Sequence, residues 1–142
     1  MTGAHVPRAL RHRVAEQARY RCGYCLSAEA VVGQPMQIDH ILPESLGGPT
    51  EEQNLWLACP LCNAHKGGRI AARDPVTGTI VRLFDPRRQT WGEHFGWTPG
   101  AERILGRSPT GRATVIALNL NRPTLVRARA AWVAAGWHPP PD

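Results

Sequence analysis

Apolar residues recur at helical spacing near the start of this chain and alternate in short runs after it. Leu10, Val14 and Ala18 fall at i, i+4 and i+8, with Arg8, Arg11, Arg13 and Arg19 around them. That pattern predicts an amphipathic helix over Pro7–Tyr20, whose proline suits the first helical position. Its apolar stripe reads as core. Met36, Ile38, His40 and Leu42 share one face of a predicted short strand, Met36–Leu42, which Pro43 ends. Gly47-Gly48-Pro49 marks Leu46–Gln53 as a loop, and Asn54–Ala58 is apolar enough for a returning strand. A helix is expected from Cys62 to Arg69 or Ile70.

In the second half, the turn cluster Asp74–Thr79 precedes strand-like Ile80–Phe84 and predicts a hairpin. Asp85–Trp97 is turn-rich and aromatic, and Ile104–Gly106 reads as another strand. Ser108-Pro109 is a cap followed by a first-turn proline, opening a helix to Leu120. Pro123 opens the last helix, which Gly136 ends, and Pro139–Pro141 reads as a frayed tail. No repeat or long linker interrupts the chain. The expected organisation is one α+β domain over 1–142: an N-terminal helix (1–20), a central core (21–70), a hairpin and helical extension (71–138) and a tail (139–142).

Composition narrows the class. A chain of 142 residues suits one domain of ordinary size, and 42% hydrophobic residues exclude a disordered chain. No apolar run approaches the roughly 18 residues of a membrane span. The N-terminal stretch lacks the apolar core and cleavage site of a secretory signal, so the expected location is cytoplasmic. Net charge is +6, carried by sixteen Arg and a single Lys. A basic chain suits a polyanionic partner, nucleic acid first, and arginine's planar fork grips phosphate with two bonds. The same charge also describes an Arg-rich surface with no partner.

The four cysteines change the picture most. Cys22 and Cys25 form one Cys-x2-Cys pair, Cys59 and Cys62 another, and Asp39-His40 lies between them. Two such pairs complete a tetrahedral four-thiolate zinc site with no open position, a staple and not a reactive centre. Disulfides are the other reading. Grouping in close pairs without an export signal favours metal. The 33 residues between Cys25 and Cys59 exceed a zinc-ribbon spacer, so a strand and a loop fold in before the second pair closes the site.

The reactive candidates lie between and just after the pairs. His40 suits a general base, because imidazole titrates near about 6.5. In a regular strand Asp39 points away from His40, so a ligand and a base in adjacent positions require a bend or a metal at the strand's edge. Asn63 and Lys66 are three apart on a helix and face one side, while His65 is turned away towards the surface or DNA. Asn63 reads as an oxygen ligand for a hard cation and Lys66 as a phosphate contact. Arg69, Arg87, Arg88, Arg122 and Arg129 add positive charge. Leu125 and Trp132 read as core, giving the last helix a mixed role.

These residues in this order resemble a known family. Cys22-Gly-Tyr-Cys25, Ile38-Asp39-His40-Ile41-Leu42-Pro43, Gly47-Gly48, Asn54-Leu55 and Cys59-Pro-Leu-Cys62-Asn63-Ala-His-Lys66-Gly67 look like the HNH endonucleases stapled by a four-cysteine zinc. The tail, with Leu83-Phe84-Asp85-Pro86 and Gly111-Arg112-Ala113-Thr114, is similar to an extension of small bacterial HNH proteins. The resemblance implies a ββα-metal core around one catalytic ion, Mg2+ or Mn2+. It makes Asp39 a metal ligand beside Asn63, and His40 the general base. It makes Asn54 the residue that steadies the His40 loop. Asn63 stands where the motif often has histidine. Such a core bends the first strand. The implied activity is DNA hydrolysis to 5′-phosphate and 3′-hydroxyl ends. A ribonuclease or structure-selective nuclease on the same core is one alternative, and a non-catalytic zinc module binding nucleic acid or protein is another.

Overall fold

A computed structural model describes residues 5–141, so residues 1–4 of the expected N-terminal segment and Asp142 of the tail lie outside it. The chain forms two compact units. The first holds the described residues up to Ile70 together with Asp85–Arg88; the second holds Ala71–Phe84 and the described residues from Gln89 on. Helices and short two-stranded sheets alternate in both, as expected of an α+β chain.

In the first unit, α1 spans Arg8–Gln17. Pro7 sits at its N-cap, one residue before the position the sequence predicts, and the helix stops early at two consecutive left-handed residues, Arg19 and Tyr20. Its apolar stripe is core as expected: Val14 joins Val6 and Leu55 in a buried cluster flanked by Leu10 and Ile38. One turn, α2 (Glu29–Val32), ends at left-handed Gly33. β1 (Gln37–His40) then pairs antiparallel with β2 (Leu55–Ala58). The register sets Ile38 opposite Leu57 and His40 opposite Leu55. Facing residues of a pair share a face. Ile38, His40, Leu55 and Leu57 therefore lie on one side of the hairpin and Gln37, Asp39 and Trp56 on the other.

α3 runs Pro60–Lys66, beginning two residues before the expected Cys62 and ending at Gly67. Cys59 is its N-cap and its sulfur accepts from the Cys62 N–H, which lets Pro60 occupy the first turn where no N–H is needed. Arg87 extends over this unit, donating twice to Leu55 O and once to Gln17, with its guanidinium 4.9 Å above the Trp56 ring. Arg88 binds Asp85 and Gln53 O.

The second unit contains the expected hairpin, β3 (Ala71–Arg73) with β4 (Ile80–Arg82). The turn-rich aromatic stretch resolves into α4 (Trp91–His94) and β5 (Phe95–Trp97), and β5 pairs with β6 (Ile104–Gly106). Ser108 caps α5 (Pro109–Ala117), which packs against β3, β4 and β6; α6 (Pro123–Ala134) follows, with left-handed Gly136 just beyond. Arg122 and Arg129 depart from the expected phosphate-facing role. Both are buried, and Arg129 donates to Leu120 O, Glu102 O and Asn121. Among the described residues no helix is long and apolar enough to cross a membrane.

Asp74 is fully buried here and takes two 2.9 Å bonds from Arg112. That guanidinium, with the Thr77 hydroxyl and nearby N–H groups, holds the Asp74 carboxyl well below the usual carboxylate range. A depressed folded-state pKa stabilises fully above the unfolded value of about 3.9 and loses that effect as pH falls below it. The pair's contribution should therefore be full and independent of pH between pH 7 and about 4, and should fall away steeply below. Acid unfolding of Asp74→Asn beside wild type checks this: the variant should be the less acid-sensitive below pH 4, and parallel curves would contradict it.

Candidate nuclease centre

The four cysteines converge. All are buried and none is in a disulfide. Their sulfurs lie within 4.8 Å of one another, with Cys25 and Cys59 3.8 Å apart. A tetrahedral zinc with Zn–S of about 2.3 Å sets its sulfurs about 3.8 Å apart, so the spacing fits that ion. Burial pushes the Cys22 thiol up, while hydrogen bonds from Cys22, Cys25 and Cys62 hold the Cys59 thiol far below its ordinary value. Thiolates this crowded carry their full charge together only around a cation. Among the described residues this is the one cluster of three or more His, Cys, Asp or Glu able to hold a metal.

Both knuckles of this cluster feed a second buried group. Tyr24, between Cys22 and Cys25, donates its hydroxyl to Asp39 Oδ2 at 2.6 Å. Burial, then the Asp39 charge, pushes the Tyr24 phenol well up, so it stays a donor. Lys66, at the end of α3, donates to Asp39 Oδ1 at 3.0 Å, to His40 O at 2.8 Å and to Ile41 O at 3.2 Å. An ammonium has three donors, and all three are used inside the protein. Lys66 is only 2% exposed, so the expected phosphate contact is not what this arrangement offers: the charge is turned inward to Asp39. Asn63 faces β1 too, its amide donating to Gln37 Oε1 at 2.8 Å.

His40 stands at the end of β1, half-buried. Its Nε2 is 3.0 Å from Thr50 Oγ1 and its Nδ1 3.8 Å from Glu44 Oε1. The strand does not bend before it, because pairing continues through Asp39 and His40. The two side chains therefore leave on opposite faces, and Lys66 joins them by holding one side chain and the other's carbonyl. The following loop is tied from its other side. Asn54 accepts from Leu42 N at 2.8 Å and donates to Leu42 O and Pro49 O. Gly48 passes so close to Leu42 O that a Cβ would collide with it.

Residues 22–69 match the family model for HNH endonuclease. No match was found among curated proteins or among solved structures. The HNH segment spans both cysteine pairs, Asp39, His40, Asn54, Asn63 and Lys66, and stops within the first unit. It is an α+β element with a four-cysteine metal cluster, and its family is one of endonucleases. Glu44 and Thr50, which the sequence reading passed over, carry oxygens that face the two His40 ring nitrogens. A 3-10 turn at Glu44–Leu46 brings Glu44 back over its i−4 neighbour. Pro43 directly before an acidic residue was the available signal. His65 lies on α3 with no part in this group; its carbonyl accepts from Arg69.

The donor set also bears on a second ion. Asp39 and Asn63 bring a carboxylate and an amide oxygen to facing elements, which is hard-cation chemistry. Yet the Lys66 ammonium already stands against Asp39 Oδ1 and the Tyr24 hydroxyl against Oδ2, and Asp39 is 3% exposed, so as placed these residues do not fit a second cation. The Lys66–Asp39 pair is 3% and 4% exposed in its side chains, and removing one member of a buried pair costs about 3–5 kcal/mol. Lys66→Met keeps the volume and leaves Asp39 charged and uncompensated. Urea unfolding should show a loss in that range; a loss below about 1 kcal/mol would mean that the pair is not held in a dry site.

Proposed function

We propose that this chain is an endonuclease that hydrolyses DNA phosphodiester bonds, with His40 as the general base. The observation that carries the reading is His40 itself: a half-buried imidazole with ordered partners at both nitrogens, in a segment matching the HNH endonuclease model. In the tautomer that carries its proton on Nδ1, facing Glu44 across 3.8 Å, Nε2 keeps its lone pair. The Thr50 hydroxyl marks where a donor, water included, meets that lone pair. Proton abstraction makes an imidazolium, which the Glu44 carboxylate stabilises across 3.8 Å. Asn54 and Lys66 fix the backbone on either side of the ring, so the base is aimed before substrate arrives.

A Mg2+ or Mn2+ ion at Asp39 and Asn63 would polarise a phosphoryl oxygen and stabilise the leaving oxygen, but only once Tyr24 and Lys66 release Asp39. Attack by water on phosphorus then gives 5′-phosphate and 3′-hydroxyl ends. The net charge of +6 supports a polyanionic substrate. The test is to incubate the protein with plasmid, linear DNA and RNA across several divalent metals, with His40→Ala alongside. Metal-dependent DNA cleavage lost in the variant supports the reading. RNA cleavage alone moves it to a ribonuclease, and no cleavage at all leaves a binding module.

A further inference from the structure

A cleft of about 280 Å³ opens in the first unit beside α1, away from every residue given a role above. Its floor is apolar, formed by Ala15, Met36 and Leu57. Its rim is Arg8, Arg11, His12 and Tyr20, with Glu29 and Pro35 on the far wall. Glu29 is engaged, accepting from Met36 N at 2.9 Å. Among the described residues, the guanidinium groups of Arg8 and Arg11 form no ion pair.

Tyr20 is the telling residue. It and Arg19 are both left-handed, at φ 57° and 56°, a conformation that non-glycine residues rarely adopt. Strain of this kind persists where the surroundings impose it, and it clusters at ligand clamps. Here it follows α1 and turns an aromatic ring outward, 38% exposed, with its hydroxyl 3.4 Å from His12 Nδ1. An exposed ring beside unpaired arginines over an apolar floor is the construction that takes unstacked bases: the base stacks or lies on the floor, and cations hold its phosphate. Leu57 also lies on the His40 face of the β1–β2 hairpin, and Met36 directly precedes β1.

We infer that this cleft is a subsite for an unpaired nucleotide of the substrate strand, stacked against Tyr20 and held through its phosphate by Arg8 and Arg11. This rests on the nuclease reading for its biological sense, and it deepens it: the enzyme acts on nucleic acid with a single-stranded stretch close to the cut. A duplex, whose bases are stacked inward, has nothing to place in the cleft.

The experiment separates this from catalysis by using His40→Ala protein, which binds without cutting. Its affinity is measured by fluorescence anisotropy for a single-stranded oligonucleotide and for a blunt duplex of the same length. Single strand should bind more tightly. Adding Tyr20→Ala should weaken single-strand binding by about fivefold or more, the low end for loss of one base–aromatic stack, and leave duplex binding within about twofold. Tyr20→Phe keeps the ring and should match the parent, while Arg8→Ala with Arg11→Ala should lower the salt dependence of single-strand binding. Circular dichroism checks that these surface variants fold. Equal affinity for both nucleic acids, or Tyr20→Ala behaving as its parent, overturns the subsite even if the wild-type protein cuts DNA. Selective binding that responds to Tyr20 supports it even if the wild type cuts nothing, in which case the nuclease reading alone fails.

Discussion

Stripping zinc from the protein, or replacing Cys59 with serine, should unfold the segment between residues 22 and 69. The magnitudes decide this. A structural zinc in a small motif contributes about 10–16 kcal/mol at neutral pH, whereas a whole domain is stable by only about 5–15 kcal/mol. The segment should depend on that ion more than on its apolar contacts, since β1 and β2 have four residues each and α3 has seven. The cysteines hold these pieces at two points, since the first knuckle carries Tyr24 onto Asp39 and the second starts the helix that carries Lys66. Serine is the informative replacement at position 59. Its hydroxyl can still cap α3 in place of the sulfur that accepts from Cys62 N, so what is lost is the thiolate ligand. Elemental analysis should find one zinc per wild-type chain. Hydrogen exchange should show protection vanishing across the motif in Cys59→Ser and after chelation. A metal-free chain that keeps this protection would sink the assignment.

How much of this was legible beforehand follows from the range of each interaction. The cysteine pairs could be read because chelation by Cys-x2-Cys is local chemistry, set by one turn. The β1–β2 hairpin and the apolar stripe of α1 were legible for the same reason: periodicity fixes a face without knowledge of its partner. Helix boundaries were less so. The start of α3 was misplaced because Pro60 and a cysteine cap replaced the usual oxygen cap. α2, α4 and β5 have only four, four and three residues, too few to repeat any pattern. Charge was the least legible property. Lys66, Arg122 and Arg129 looked like surface cations, yet each is buried with carbonyl oxygens or a carboxylate completing its bonds, at Asp39 and at Glu102 for Lys66 and Arg129 but only three residues back for Arg122. Lys66 and Asp39 are 27 residues apart, and only the approach of α3 to β1 brings them together. No local pattern encodes that meeting, which is also why the regular, unbent end of β1 was not foreseen.

Replacing His40 with alanine should abolish cleavage by at least about 10²-fold while the protein still folds and binds DNA. That factor is the low end for a general base and corresponds to about 2.7 kcal/mol of barrier. Folding survives because the ring is no part of the core cluster of Val6, Val14 and Leu55. The elements that hold its backbone do so through carbonyls, which alanine retains: Lys66 bonds His40 O, and Asn54 secures Leu42. The variant removes the base and leaves its support. Binding should survive because, in the proposed role, the imidazole acts only on the attacking water during the chemical step, so affinity for intact DNA should change little. Glu44→Gln should give an intermediate result, keeping the shape while withdrawing the carboxylate that faces the imidazolium. His65→Ala, on the same helix as Asn63 but outside the bonded group, should lie within about threefold of wild type. Single-turnover cleavage of a labelled duplex with a single-stranded extension, beside anisotropy on the same substrate, separates the two effects. If His40→Ala cuts at the wild-type rate, the base is elsewhere. If it loses binding as fully as cutting, His40 holds the substrate and does not activate water.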